Sequence, residues 1–142
     1  MAVKIVYWTQ SGSTGMMATA VAQGIKEAGA QDEIIFVSDA SVADLQNEKA
    51  FALGCPAMGD EVLEETEMEP FVEALESFVA GKTIGLFGSY GWGDGQWMRD
   101  WTERMKNAGA TIAGGEGIIA CGAPDEAVNE ALKEMGRKLA GV

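Results

Sequence analysis

The strongest constraint on what this chain can fold into is a rhythm. Short apolar runs alternate with longer stretches whose apolar residues recur at helical spacing. Residues 3–8 predict a first strand. Met17, Ala18, Val21, Ala22, Ile25 and Ala28 then share one helical face, and Gly29 reads as a helix stop. Residues 34–37 give a second strand, and residues 41–47 a short helix with Ser41 placed to cap it. Residues 50–55 give a third strand, after which Phe71, Leu75, Phe78 and Val79 mark a helix. A fourth strand spans 83–87, followed by the helical stripe Trp97, Met98, Trp101 and Met105. Residues 111–120 predict a fifth strand, broken by Gly114, Gly115 and Gly117. The last helix starts at Pro124 and carries Val128, Leu132, Met135 and Leu139.

A strand that is followed each time by a helix implies a parallel sheet, because only a crossover returns the chain to the same end. Buried on both faces and wound right-handedly, such a sheet forms an α/β three-layer sandwich. Nothing in the chain reads as a linker or a repeat, so residues 1–142 are expected to form a single domain. In such folds a ligand sits beyond the carboxyl ends of the strands. The segments after strands 1, 3, 4 and 5 are therefore where chemistry is to be sought.

Composition removes several chemistries. There is no histidine, which excludes imidazole metal ligands and Ser-His or Cys-His catalytic pairs. Cys55 and Cys121 are not spaced as a metal or redox pair, and both read as small buried side chains at strand ends. No run approaches the ~18 apolar residues of a membrane span, and no secretory pattern opens the chain, so a cytoplasmic location is expected. The formal net charge of −12 disfavours nucleic acid and anionic membranes and favours basic protein partners. It also serves solubility.

The segment after strand 1 is Thr9-Gln10-Ser11-Gly12-Ser13-Thr14-Gly15, directly before a helix. Its hydroxyls, and the backbone N–H groups of a helix start, suit a phosphate. No Lys or Arg occurs within residues 5–25, and the Gly-Lys-Ser/Thr ending of a nucleoside-triphosphate loop is missing. Neutral donors alone would hold the anion, although a capped turn rich in Ser and Thr has the same composition. Strand 3 is followed by Pro56-Ala57-Met58-Gly59-Asp60-Glu61. Strand 4 is followed by Gly88-Ser89-Tyr90-Gly91-Trp92-Gly93-Asp94-Gly95, where glycines flank two aromatics and let the backbone approach a flat ligand. Trp97 and Trp101, at i and i+4, read instead as core packing.

Three runs carry a family resemblance: Val6-Tyr7-Trp8, Ala57-Met58-Gly59-Asp60-Glu61-Val62-Leu63-Glu64-Glu65 and Leu86-Phe87-Gly88-Ser89-Tyr90-Gly91-Trp92-Gly93-Asp94-Gly95. With them the chain resembles the short-chain, clostridial-type flavodoxins over its whole length. The resemblance implies a five-stranded parallel sheet in order 2-1-3-4-5 and a non-covalently bound flavin mononucleotide (FMN). It implies a low-potential one-electron carrier, not an enzyme, that works through semiquinone and hydroquinone states. Its partners would be redox proteins with basic docking surfaces, such as reductases or oxidoreductases that also use ferredoxin, and the chain would be a monomer.

By the same resemblance, Thr9, Gln10, Ser11, Gly12, Ser13 and Thr14 form the phosphate loop. Pro56 and Ala57 lead into the ring contacts. Met58 covers one face of the ring and Trp92 the other. The Gly59–Asp60 peptide turns its carbonyl toward flavin N5, and Glu61 accepts a hydrogen bond from N3–H. Backbone at Ser89, Tyr90, Gly91, Gly93, Cys121 and Gly122 surrounds the pyrimidine edge. Gln10 and Ser13 depart from close relatives, which carry Gly and Asn there, and Ala120-Cys121-Gly122 replaces a more polar stretch. Three rivals fit less well. A phosphoryl-receiving signalling domain needs acids at the ends of strands 1 and 3, where Trp8-Thr9 and Gly54-Cys55 stand. A flavin enzyme such as a quinone reductase needs an acid/base inventory that is thin here. A binding module without flavin has no need of Met58, Gly59, Glu61 and Trp92 together.

Overall fold

A computed structural model of the chain describes residues 2–142. The elements run β1 (Ala2–Tyr7), α1 (Ser13–Glu27), β2 (Gln31–Phe36), α2 (Val42–Gln46), β3 (Ala50–Gly54), α3 (Met68–Leu75), β4 (Thr83–Tyr90), α4 (Gln96–Asn107), β5 (Thr111–Ile112), β6 (Ile118–Cys121) and α5 (Glu126–Ala140). The sheet has the order β2-β1-β3-β4-β5, every pairing is parallel, and β6 continues beside β4 where β5 stops. The expected fifth strand is thus two pieces in one sheet position. The break falls at the glycine-rich stretch between them, where the Gly117 N–H donates to the Thr102 hydroxyl at 3.2 Å.

Side-chain alternation along the strands sorts the core into two layers. Ile5, Ala52 and Phe87 face α1 and α5, with Met17, Val21, Ile25, Leu132 and Leu139. Val6, Phe51, Leu53, Ile84 and Leu86 face the other helices, with Phe71, Leu75, Trp97 and Trp101. All five residues of β3 are buried, as a central strand requires. Helices α1 and α5 touch backbone to backbone. A Cβ on Gly24 would stand 1.9 Å from the Lys133 carbonyl oxygen, and one on Gly136 2.2 Å from that of Val21.

Some boundaries differ from expectation. Strand β1 ends at Tyr7, and half-buried Trp8 follows it with its N–H on the Gly54 carbonyl at 3.0 Å. Helix α3 ends at Leu75; Phe78 and Val79 lie in the following turn yet still pack on the core. Pro124 precedes the last helix instead of starting it, because the Asp125 carboxylate takes the cap, accepting the Val128 N–H at 2.9 Å. Ser41 caps α2 as expected, with Asp44 completing a capping box.

Candidate functional site

The loops that leave the carboxyl ends of β1, β3, β4 and β6 meet at one edge of the sheet. The first turns on Gly12 (φ +97°), whose N–H donates to the Thr9 hydroxyl at 3.1 Å. No side chain caps α1, and no acid stands in its first turn. The leading N–H groups of Ser13, Thr14 and Gly15 therefore have no partner within the helix. Gln10 and Ser11 are exposed beside them. Thr14 is buried instead, its hydroxyl 3.0 Å from that of Ser89.

The second loop makes a tight turn in which Met58 and Val62 exchange both backbone hydrogen bonds at 2.9 Å. Gly59 at its tip has φ +51°, a region that costs a residue bearing Cβ ~1–2 kcal/mol. Glu61, at φ +57°, is the one non-glycine in that region among the described residues. Its carboxylate reaches the start of α4, accepting the Asp94 N–H at 3.4 Å and the Trp97 N–H at 3.3 Å. The Ala57 N–H donates to the Ser89 carbonyl at 3.0 Å, so this loop is tied directly to the end of β4.

The third loop carries Trp92, which is 63% exposed. Buried Trp97 behind it donates its indole N–H to the Cys55 carbonyl at 3.2 Å and packs against Tyr90 at 5.6 Å between ring centroids. Trp97 and Trp101 are core residues, as their spacing suggested, and Trp92 is not. A cavity of about 180 Å³ lies between the loops, lined by Gln10, Ser11 and Ser13, by residues 56–58 and 89–91, and by Gly122. Trp92, Gly59, Asp60, Glu61 and Gly93 stand outside that lining. A larger hollow of about 520 Å³ at Glu76 and Arg104 lies on the α3–α4 flank, away from the strand ends.

One expectation changes here and one holds. Cys121 is exposed, not buried, because alternation at the last residue of β6 turns it opposite to buried Ala120. Cys55 is buried, and burial pushes its thiol up to about 12. The acidic run after β3 is also less uniform than its composition suggests. Glu64 is 6% exposed and accepts the N–H groups of Thr66 (2.7 Å), Glu67 (2.8 Å) and Met68 (3.0 Å), as well as the Thr66 hydroxyl. Burial pushes its carboxyl up, but these donors outweigh burial and hold it below the ordinary range. Glu69 and Glu76 pair with Arg104 of α4. Neither the Glu64 carboxylate that gathers the turn before α3 nor the Thr14–Ser89 pair was read from the sequence. An acid just ahead of an apolar-periodic helix was the only signal for the first, and six acids shared it.

An uncapped, uncharged helix start beside a crevice at the carboxyl ends of the strands, walled on its other sides by the loops after β3 and β4, is the arrangement of a ligand-binding protein of the doubly wound α/β class. The chain matches the Flavodoxin family model over residues 5–137. It is 48% identical over 140 residues to a flavodoxin of Clostridium beijerinckii, covering 99% of this chain and 100% of that one. It is 43% identical over 138 residues to a flavodoxin of Megasphaera elsdenii, covering 97% and 98%. The solution structure of two-electron reduced Megasphaera elsdenii flavodoxin superposes with a TM-score of 0.90 at 41% identity, over 100% of both chains. The chain belongs to the flavodoxin family, whose members are FMN-binding electron carriers and not enzymes. The residues present fit that group: neutral donors suit a terminal monophosphate, and the ring-side loops offer an exposed aromatic face and a turned peptide.

Proposed function

We propose that the chain, acting as one domain over residues 1–142, is a low-potential one-electron carrier that holds FMN non-covalently across these loops. The observation that carries this reading is the pairing of an uncapped α1 start with residues 56–58 and 89–91 across one shared crevice. Bound FMN supplies the one-electron chemistry at its ring. The chain supplies grip and tuning. Thr9, Gln10, Ser11, Gly12, Ser13 and Thr14 hold the phosphate by hydroxyl, amide and backbone donors. Met58 and Trp92 cover the two ring faces and keep water out, which disfavours added negative charge on the ring. The positive φ of Gly59 supports a turn that offers the carbonyl of the Gly59–Asp60 peptide to a protonated N5. Glu61 accepts from N3–H with lone pairs left over from its contacts at the α4 start. Pro56, Ala57, and the backbone at residues 89–91, 93, 121 and 122 enclose the rest.

The acid-rich ring end and the net charge of −12 support redox partners with basic docking surfaces, met by a monomer in the cytoplasm. Among the described residues no helix is long and apolar enough to cross a membrane. The reading is tested by adding FMN to flavin-free protein and following the visible spectrum, then titrating the complex potentiometrically. Uptake at one-to-one stoichiometry with two resolved one-electron steps is expected. A protein that stays colourless with excess FMN overturns the reading.

A further inference from the structure

Ser89 is the residue at which three of the site loops meet. It pairs with Ala120 of β6, and its carbonyl accepts the Ala57 N–H at 3.0 Å. On its other side the Ser89 hydroxyl lies 3.0 Å from the Thr14 hydroxyl, and the Ser89 N–H donates to that same Thr14 oxygen at 3.4 Å. Thr14 is 1% exposed and Ser89 5% exposed. A buried polar pair joining residues 75 positions apart fixes the first turn of α1 against β4.

We infer that Ser89 is a positioning residue for the phosphate end of the site and not a contact for the ring. Through Thr14 it holds the N–H groups of Ser13, Thr14 and Gly15 in the convergent arrangement that a phosphate monoester requires. The inference rests on the FMN reading above and assigns the Ser89 side chain to the phosphate end, where its backbone alone was placed at the ring.

The test compares FMN with riboflavin, which has the same ring and no phosphate. Both are titrated calorimetrically into the unmutated protein and into Ser89→Ala, Thr14→Val, the double variant and Thr14→Ser. Ser89→Ala is expected to weaken FMN about tenfold, the worth of one buried hydrogen bond, and to change riboflavin by less than about twofold. The double variant is expected to bind FMN no more weakly than the worse single variant, and Thr14→Ser to bind close to the unmutated protein. In ligand-free Ser89→Ala, the amides of Thr14 and Gly15 are expected to exchange faster with solvent while those of the β3 core do not. If Ser89→Ala does not fold, Thr14→Val carries the same FMN-against-riboflavin comparison. Equal losses of FMN and riboflavin would make Ser89 a ring contact, and no loss of either would make the pair idle; each overturns the inference. Unmutated protein that takes up neither ligand sinks the FMN reading itself, and that result appears in its own arm.

Discussion

Residues 5–25, which include the phosphate loop, carry no charged side chain, whereas residues 60–69 carry six carboxylates and no base. The two ends of one crevice therefore handle charge in opposite ways. In the proposed assignment, the phosphate end offers a dianion helix N–H groups and hydroxyls and no neutralising base. The ring end, in the same assignment, carries charge of the sign that resists reduction of an electron-accepting group. Affinity and potential are thereby assigned to different stretches of chain, and changes at one end should leave the property set by the other nearly untouched.

The largest effect expected from this division is in ligand choice. Several charge-assisted hydrogen bonds, at ~1.5–3 kcal/mol each before the phosphate's desolvation, leave a net gain of ~4 kcal/mol. Riboflavin is thus expected to bind about 10³-fold more weakly than FMN, by calorimetry at matched pH. Because no Lys or Arg meets the phosphate and the net charge of −12 repels a dianion, added salt should strengthen FMN relative to riboflavin and not weaken it. A ratio within about tenfold of unity would break the comparison, since the ring end would then hold the ligand alone.

Next in size is the footing of the ring-side loop. Glu64→Gln keeps the shape but loses the charge that four donors meet, and is expected to cost about 1–3 kcal/mol of stability at neutral pH. The folded carboxyl titrates below its unfolded value, so its contribution is complete above the unfolded pKa of ~4.3 and is lost as pH falls through the folded pKa. Urea unfolding of the two ligand-free proteins should therefore differ at pH 7, and the difference should shrink steadily as pH falls below the unfolded pKa of ~4.3. A difference that stays constant as pH falls would show that packing, not charge, is lost.

Much of this was legible in the sequence, and the parts that were not share a cause. The alternation of strand and helix reads as a parallel, doubly wound sheet because each crossover has one practical hand, while the strand order 2-1-3-4-5 follows from the family resemblance and is the order observed. The ring loops stood out because glycines flank Trp92, which a core residue does not require. Glu64 did not stand out, since its burial depends on the turn that precedes α3 and its composition matches that of five neighbours. Ser89 and Thr14 are joined only by the fold. Phe78 and Val79 kept the apolar period past the end of α3 because the following turn covers the same core, and period alone cannot place a helix end. Cys121 depended on strand parity at a single terminal residue.

A substitution at the tip of the ring-side turn sharpens the comparison further. Gly59→Ala or Gly59→Val should leave FMN bound within about threefold while narrowing the gap between the two one-electron potentials. Where positive φ at Gly59 is required only with N5 protonated, a Cβ costs that state ~1–2 kcal/mol, or about 40–90 mV for a one-electron couple. Potentiometry of both variants checks this. An unchanged gap would mean that the Gly59 peptide takes no part in tuning.

The smallest expected effect bears most directly on what the acids do. Glu65 is exposed and carries none of the structural bonds that engage Glu64. For a carboxylate ~10 Å from the ring in water-like dielectric, the field costs ~0.4 kcal/mol per added electron, or ~20 mV. Glu65→Gln should raise the second potential by about that amount at low salt, with FMN affinity and unfolding midpoint unchanged. At 1 M salt the Debye length falls to ~3 Å, so a field effect should vanish while a packing effect should not. A shift that survives high salt would mean that Glu65 acts through the shape of the loop, and the division between a neutral gripping end and a charged tuning end would then have to be redrawn around geometry.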